Sequence, residues 1–299
     1  MDKPSDLMPS KVGTDLEAVS QDARIRAIPF AFLYTFPWWA LILALVTIWV
    51  YVSIAADETY SNIFDDLKEG IALTLRLSIV SYLLALVIGL MIGIIRSAPP
   101  YARTGLRGRI VSFLHVVVYN VATLFVEVMR GLPIITVLLI SAFVVIPAFK
   151  RYMLAQYGIE ITFRGSSPET AIIGLALAYG AFLSEVFRAG IQSIGKGQIE
   201  AARSLGMTYA QTMRCIVLPQ ALRRIVPPLG NDFIAMIKDS SLATILAVRE
   251  ITQIAKVTSG SNFQYEPTYL TVAVLYLSMT IIGSLLVRLL ENVMSPQER

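Results

Sequence analysis

The sequence predicts an all-α integral membrane protein, and three observations carry that reading. Of its 299 residues, 56% are hydrophobic and only 15% are charged, where a soluble domain carries about a quarter of its residues as charges. The apolar residues gather into runs of about 20, the length that crosses a bilayer as a helix. Between the runs lie short polar segments whose lysines and arginines concentrate on one set of alternating connections. The net charge of +4 is small, and nothing in its distribution suits nucleic acid. A single cysteine, Cys215, excludes an internal disulfide. A single histidine, His115, sits in an apolar run and reads as a packed or interfacial residue, so no metal site is assigned.

Residues 1–36 are polar and of mixed charge, without the short apolar core and small-residue cleavage site of a signal peptide, and read as a cytoplasmic tail. The first span is expected over Pro37–Ala56, with Trp38 and Trp39 as interface anchors. A polar stretch leads to the second span, Ile71–Ile95, where Gly89 and Gly93 stand four apart and allow another helix to approach closely. After a basic linker comes the apolar tract 110–149, too long for one upright helix. It reads as an interfacial or tilted helix leading into a span over Val121–Ile146, kinked near Pro133 and stopped at Pro147. A long polar loop precedes the fourth span, Thr170–Phe187. The fifth runs from the Pro227–Pro228 pair to Val248. A further loop leads to the sixth, Thr268–Leu290. With both termini inside, the inner segments hold sixteen lysines and arginines and the outer ones six, a clear positive-inside bias.

The longest polar, helix-forming interval is Gly195–Pro228. It predicts one short helix over Gln198–Leu205, ended by Gly206 in a left-handed conformation. A second, capped by Thr208, should run to Val217 and stop at Pro219. Ala201, Ala202 and Leu205 form a small apolar face flanked by Glu200 and Arg203. Such a face suits a partner's groove, and it equally suits the membrane surface.

The residues Glu200-Ala201-Ala202, then Gly206, then Ile216, Leu218 and Pro219, resemble the EAA loop of the permease subunits of bacterial ABC importers. The resemblance implies a cytoplasmic coupling helix within the loop 195–220, docked on an ATP-hydrolysing subunit. Further stretches are similar to the polar amino acid branch of that family, the histidine and glutamine permease type. They include Gly70–Leu75, Arg130–Pro133, and the residues on both sides of the loop, so that the likeness runs from about residue 66 to the C-terminus. It implies a type I importer permease domain of five helices over 66–299, with residues 37–65 as an extra helix and outer loop, six spans in all. It also implies a bacterial inner membrane, a second permease chain, same or paralogous, a dimer of ATPase subunits that binds ATP and magnesium, and an extracytoplasmic amino-acid-binding protein. The chain itself would have no catalytic residues. Leu132 stands where the branch usually has threonine, and Leu183-Ser184 precede Glu185 where it usually has a small residue and glutamate. These departures bear on the substrate.

The run Gly190–Lys196 fills the first seven positions of a phosphate-binding loop, but Gly197 replaces the hydroxyl that would hold magnesium, and the run leaves an apolar helix and no strand. Charges within spans are the other informative set, since each costs about 2.5–3.5 kcal/mol at the bilayer centre on insertion scales. Lys238, Asp239, Ser240 and Ser241 stand mid-span, with Asp232 on the face of Asp239, and Glu127 and Arg130 form a second pair. Either these residues line a path for a zwitterionic or charged solute, or they pair with one another and hold the bundle. Glu185 and Arg188 are expected to support the coupling loop. An ion-driven secondary transporter could use the same charges, but the halves show no inverted repeat and the Glu200 loop would go unexplained. A membrane enzyme lacks any histidine-based pattern.

Overall fold

The computed structural model describes residues 38–100 and 105–294; the expected tail 1–36 lies outside them. By its contacts the chain divides between Val52 and Ser53. Helix α1 (Trp38–Ala56) is apolar throughout, and its 19 residues give about 28 Å, close to the hydrocarbon thickness.

Helix α2 (Glu58–Ser97) is capped by Asp57, whose carboxylate accepts from the Thr59 amide at 2.8 Å. It therefore begins thirteen residues before the expected second span. The added turns are held because Ile63 and Leu67 are buried against Ile251, Ile254, Ala255 and Leu275. Helix α3 (Leu106–Gly131) ends where Pro133 forces Leu132 into extended backbone. Helix α4 (Ile134–Ile140) then passes through a wide turn, Ser141–Val145, into α5 (Ile146–Tyr157).

Helix α6 (Pro168–Gln192) is the axis of the bundle and its most buried helix. The short helices α7 (Lys196–Ser204) and α8 (Tyr209–Thr212) follow, and a second wide turn, Met213–Val217, feeds α9 (Leu218–Asp239). A 3₁₀ segment, Ser240–Leu246, continues α9. Helices α10 (Ile251–Asn262) and α11 (Tyr265–Met294) complete the chain.

Two expected helix stops are not stops. Pro147 and Pro219 each follow a wide turn in which the Ile146 amide bonds the Ser141 carbonyl and the Leu218 amide bonds that of Met213. The extra residue per turn gives the proline ring room that an ordinary helix denies it, so the helix continues. Pro227 and Pro228 lie inside α9 instead of opening it. Two expected loops shrink for a related reason. The segment after Pro147 is helix α5, closed by Gly158 at φ +64, and the segment after Glu250 is α10, capped by that carboxylate.

Five helices among the described residues are long and apolar enough to cross a membrane: α2, α3, the joined α4–α5, α6 and α11. Side-chain pairings decide how they run. An added Cβ at Gly89 would meet Leu183, and one at Gly93 would meet Phe187, so the close approach that the small-residue spacing predicts is made by α6, which lies parallel to α2. The α4–α5 pair runs against them, since Gly174 meets Leu138 while Gly165, just before α6, meets Ala142. Helix α9 also runs against α6, because Gly190 meets Ile225 and Tyr179 bonds Asp239.

Helix α3 is the exception. Arg96, at the end of α2, reaches Glu127 at 3.8 Å, and Arg130 reaches Glu185 at 3.9 Å. The C-terminal ends of α2, α3 and α6 are thus level. At about 1.5 Å per residue α3 is ~39 Å long. Were it to cross, residues 98–105 would have to pass back through hydrocarbon, where open backbone is not tolerated. So α3 lies on or obliquely to one face and leads into α4–α5, which does cross. The interfacial segment expected before the third span is therefore present, but the span is 134–157 and not 121–146. Helix α9 with its 3₁₀ extension supplies the remaining crossing.

Candidate functional site

Helix α7 projects from the end of the bundle where α6 stops. Its C-terminus is closed by a Schellman motif: the Gly206 amide bonds the Arg203 carbonyl at 3.0 Å, and the Met207 amide bonds that of Ala202 at 3.2 Å. Gly206 has φ +79, as expected. Two residues on, Thr208 and Gln211 form a reciprocal cap, with the Gln211 amide at 3.3 Å from the Thr208 hydroxyl and the Thr208 amide at 2.8 Å from the Gln211 side chain. Arg224 on α9 donates to the Ser193 carbonyl at 2.6 Å, tying both roots of the element together.

The expected apolar face of α7 is divided. Ala202 is buried, and Ile199 packs on the core beside it, whereas Ala201 is exposed and Leu205 is 84% exposed. Glu200 is exposed with them. The outward surface is therefore Glu200, Ala201 and Leu205, with Ala202 as the anchor. Further on, the core residue is Val217, 1% exposed; Ile216 is half-buried, and Leu218 and Pro219 are exposed. Gly206→Ala places a methyl group where nothing lies within 4 Å, so its cost is purely conformational, about 1–2 kcal/mol. Gly195, at φ −58 and equally open, should accept alanine without loss. Thermal unfolding of the two variants checks this.

Just inside α7 lies a cluster of five charges. Glu185 on α6 accepts two bonds from Arg188, at 2.8 and 2.6 Å, and a short one from Arg96, and it faces Arg130 at 3.9 Å. Arg96 also faces Glu127, and Arg188 continues to Gln192 at 2.6 Å. Glu127 and Arg130 therefore do not pair with each other, nor do they join the charges of α9. They belong to this cluster, because α3 ends here and does not run on through the bilayer. Arg96, its most buried member, reads in the sequence as one more basic residue of a linker.

The α9 residues occupy a different level. Asp239 accepts from the Tyr179 hydroxyl at 2.7 Å, and Tyr179 lies near the middle of α6, so Asp239 stands level with the middle of that helix. The helix ends at Asp239, however, and a 3₁₀ segment carries the chain on. Lys238 is exposed and among the described residues forms no ion pair, so Lys238 and Asp239 do not neutralise each other. Ser240 is buried and donates to the Ile237 carbonyl at 2.7 Å, while Ser241 and Asp232 are half-buried. Tyr82 on α2 donates to the Leu229 carbonyl at 2.5 Å. Two tyrosines from the parallel pair thus hold α9, and no pattern in the sequence singles out either.

Nor does any sequence pattern mark Glu250. It is 0% exposed and accepts from the amides of Thr252 and Gln253 and from the Tyr276 hydroxyl, each at 2.8 Å. The residue lies outside the crossing helices. Burial raises its carboxyl above the usual range against the lowering effect of those donors. The phosphate-loop likeness finds another explanation, since Gly190 is a helix residue whose missing side chain admits Ile225.

Residues 105–296 match the family of binding-protein-dependent transport system inner membrane components. The chain belongs to this family. This inner membrane component is 34% identical over 247 residues to the probable amino-acid permease protein YxeN of Bacillus subtilis, covering 81% of this chain and 97% of that one. It is 33% identical over 226 residues to the glutamine transport system permease protein GlnP of Escherichia coli K12, covering 76% and 91%. Its fold matches the crystal structure of an amino acid ABC transporter with histidines at TM-score 0.60 and 30% identity, over 78% of this chain and 95% of that one. The inward-facing MetNI methionine ABC transporter gives the same TM-score at 20% identity, a likeness of fold alone. The chain is thus a multi-pass inner membrane permease subunit of an ATP-driven ABC importer, and the secondary-transporter reading is set aside.

Proposed function

We propose that this permease carries a polar amino acid into the cytoplasm by alternating access, driven by ATP hydrolysis on a separate subunit that docks on α7. The supporting observation is the form of that element. A nine-residue helix exposes Glu200, Ala201 and Leu205 while Ala202, the Schellman turn at Gly206 and the Arg224–Ser193 bond fix it rigidly to α6 and α9. Displacement of such a helix by a partner passes directly to α9, which carries Asp232, Lys238 and Asp239, and to its 3₁₀ extension, which carries Ser240 and Ser241. These residues would face the solute, and Ile216, Leu218 and Pro219 would form the stem of the lever. The cluster of Glu127, Arg130 and Glu185 would keep the bundle end rigid under that load.

The same reading places both termini and α7 in the cytoplasm, following the positive-inside bias. It calls for a dimer of ATPase subunits binding ATP and magnesium, a second permease chain, same or paralogous, and an extracytoplasmic amino-acid-binding protein. Glutamine is a substrate class named among the relatives and fits a path bearing both signs of charge.

The test is a mild-detergent pull-down of the wild-type chain beside Glu200→Ala. An ATPase should co-purify with the wild type, and the variant should lose most of it, with substrate uptake falling at least tenfold. An ATPase bound equally to both would remove α7 as the docking element.

A further inference from the structure

At the end of the bundle opposite α7, a cavity of about 220 Å³ is lined by Arg249, Gln253, Ile254, Val257 and Thr258. Its position follows from the seat of α10 against Gly70, far along α2 from Arg96. The backbone presenting Arg249 is tightly held. Ala247 adopts a left-handed turn at φ 55, the Glu250 amide bonds the Val248 carbonyl at 2.7 Å, and Val248 and Glu250 on either side are both buried. An exposed arginine between two buried neighbours projects from a fixed point, not from a loose loop.

The chemistry around it is one-sided. The adjacent carboxylate, Glu250, spends both oxygens on the Thr252 and Gln253 amides and the Tyr276 hydroxyl. Among the described residues Arg249 has no ion-pair partner. The Gln253 carbonyl accepts from the Thr244 hydroxyl at 2.7 Å, which leaves its amide group as a donor, and the Thr258 hydroxyl is a further donor. A guanidinium, an amide and a hydroxyl therefore line a partly enclosed apolar cleft that offers few acceptors.

We propose that this cleft is a carboxylate-binding site that takes the α-carboxylate of the incoming solute. A guanidinium meets a carboxylate with two parallel hydrogen bonds, and a partly enclosed apolar wall strengthens the pair. On the importer reading this end of the bundle faces outward, and the 3₁₀ segment Ser240–Leu246 connects it to Asp239. Every amino acid carries this carboxylate, so the site selects the class and not the side chain. The inference rests on the amino acid importer reading.

The test uses the assembled permease–ATPase complex in detergent, without any binding protein. Saturation-transfer NMR is recorded with a mixture of the polar amino acids and, separately, with the same compounds as α-amides. In the wild type at least one acid should give a bound signal and its amide none. Arg249→Ala and Arg249→Gln should weaken that signal at least tenfold, Arg249→Lys should retain part of it, and Gln253→Ala should weaken it several-fold. Equal signals from acid and amide, no signal from any acid, or an unchanged signal in both neutral Arg249 variants would overturn the site.

A second arm titrates the native binding protein onto the complex. Weaker docking in Arg249→Ala with unchanged acid binding would overturn the solute assignment in favour of a protein carboxylate. ATPase co-purification is scored on the wild type alone, so loss of the importer reading is distinguished from loss of this site.

Discussion

Glu185→Ala is expected to destabilise the protein by about 3–5 kcal/mol, the cost of breaking a buried ion pair by removing one partner. Glu185 is the one carboxylate that Arg96, Arg130 and Arg188 share. The Arg96 side chain is only 9% exposed, its Nε has no hydrogen-bond partner, and its other carboxylate, Glu127, stands at 3.8 Å and is two-thirds exposed. Removing Glu185 leaves a guanidinium buried with almost nothing to compensate it. Glu127→Ala should be far milder, below about 1 kcal/mol, because an exposed pair at that distance contributes little. The double variant Glu185→Ala/Arg96→Leu should recover much of the loss, since it removes the stranded charge as well. Thermal unfolding of the purified protein measures all three. A double variant no more stable than Glu185→Ala alone would show that the buried charge is not the cause.

Gly70→Ala is the second large effect. A Cβ there would lie 2.7 Å from the Ile251 amide nitrogen, 2.9 Å from its Cα and 3.0 Å from the Glu250 carbonyl carbon. All three are backbone atoms, so no side-chain rotation relieves the clash, and α10 must move away from α2. That movement stretches the 3.3 Å bond from the Ile251 amide to the Thr74 hydroxyl and disturbs the buried Glu250 cap. Overpacking of this kind costs about 1–3 kcal/mol. Gly131→Ala is the control, because nothing lies within 4 Å of a Cβ there. The melting temperature should fall clearly in the first variant and hold in the second. Because the same turn presents Arg249, Gly70→Ala should also weaken acid binding.

Much of the molecule is legible in the chain because its signals are local. Apolar length marks α2, α6 and α11, and the Gly89–Gly93 spacing marks the face on which α2 meets α6. Between Glu200 and Gly206 the order of residues alone predicts a short helix and a left-handed stop, since a φ of +79 is a property of glycine itself. Thr208 announces its cap by the same logic. The prolines mislead for an equally physical reason. Pro147 and Pro219 remove a donor, but whether the helix stops or widens by one residue depends on what packs around it, and here it widens.

What the sequence by itself determined is the membrane class, a close helix approach at Gly89 and Gly93, and the short helix closed by Gly206, each set by propensity or spacing over a few residues. Only the tertiary structure decided where the charges go. Glu127 and Arg130 read as a pair three residues apart, yet both turn to partners on α2 and α6, because α3 ends level with Arg96. Tyr179 meets Asp239 across sixty residues of chain, and Glu250 is buried because α10 folds back onto Gly70. A charge finds its partner through space, and chain spacing carries that information only within one helix.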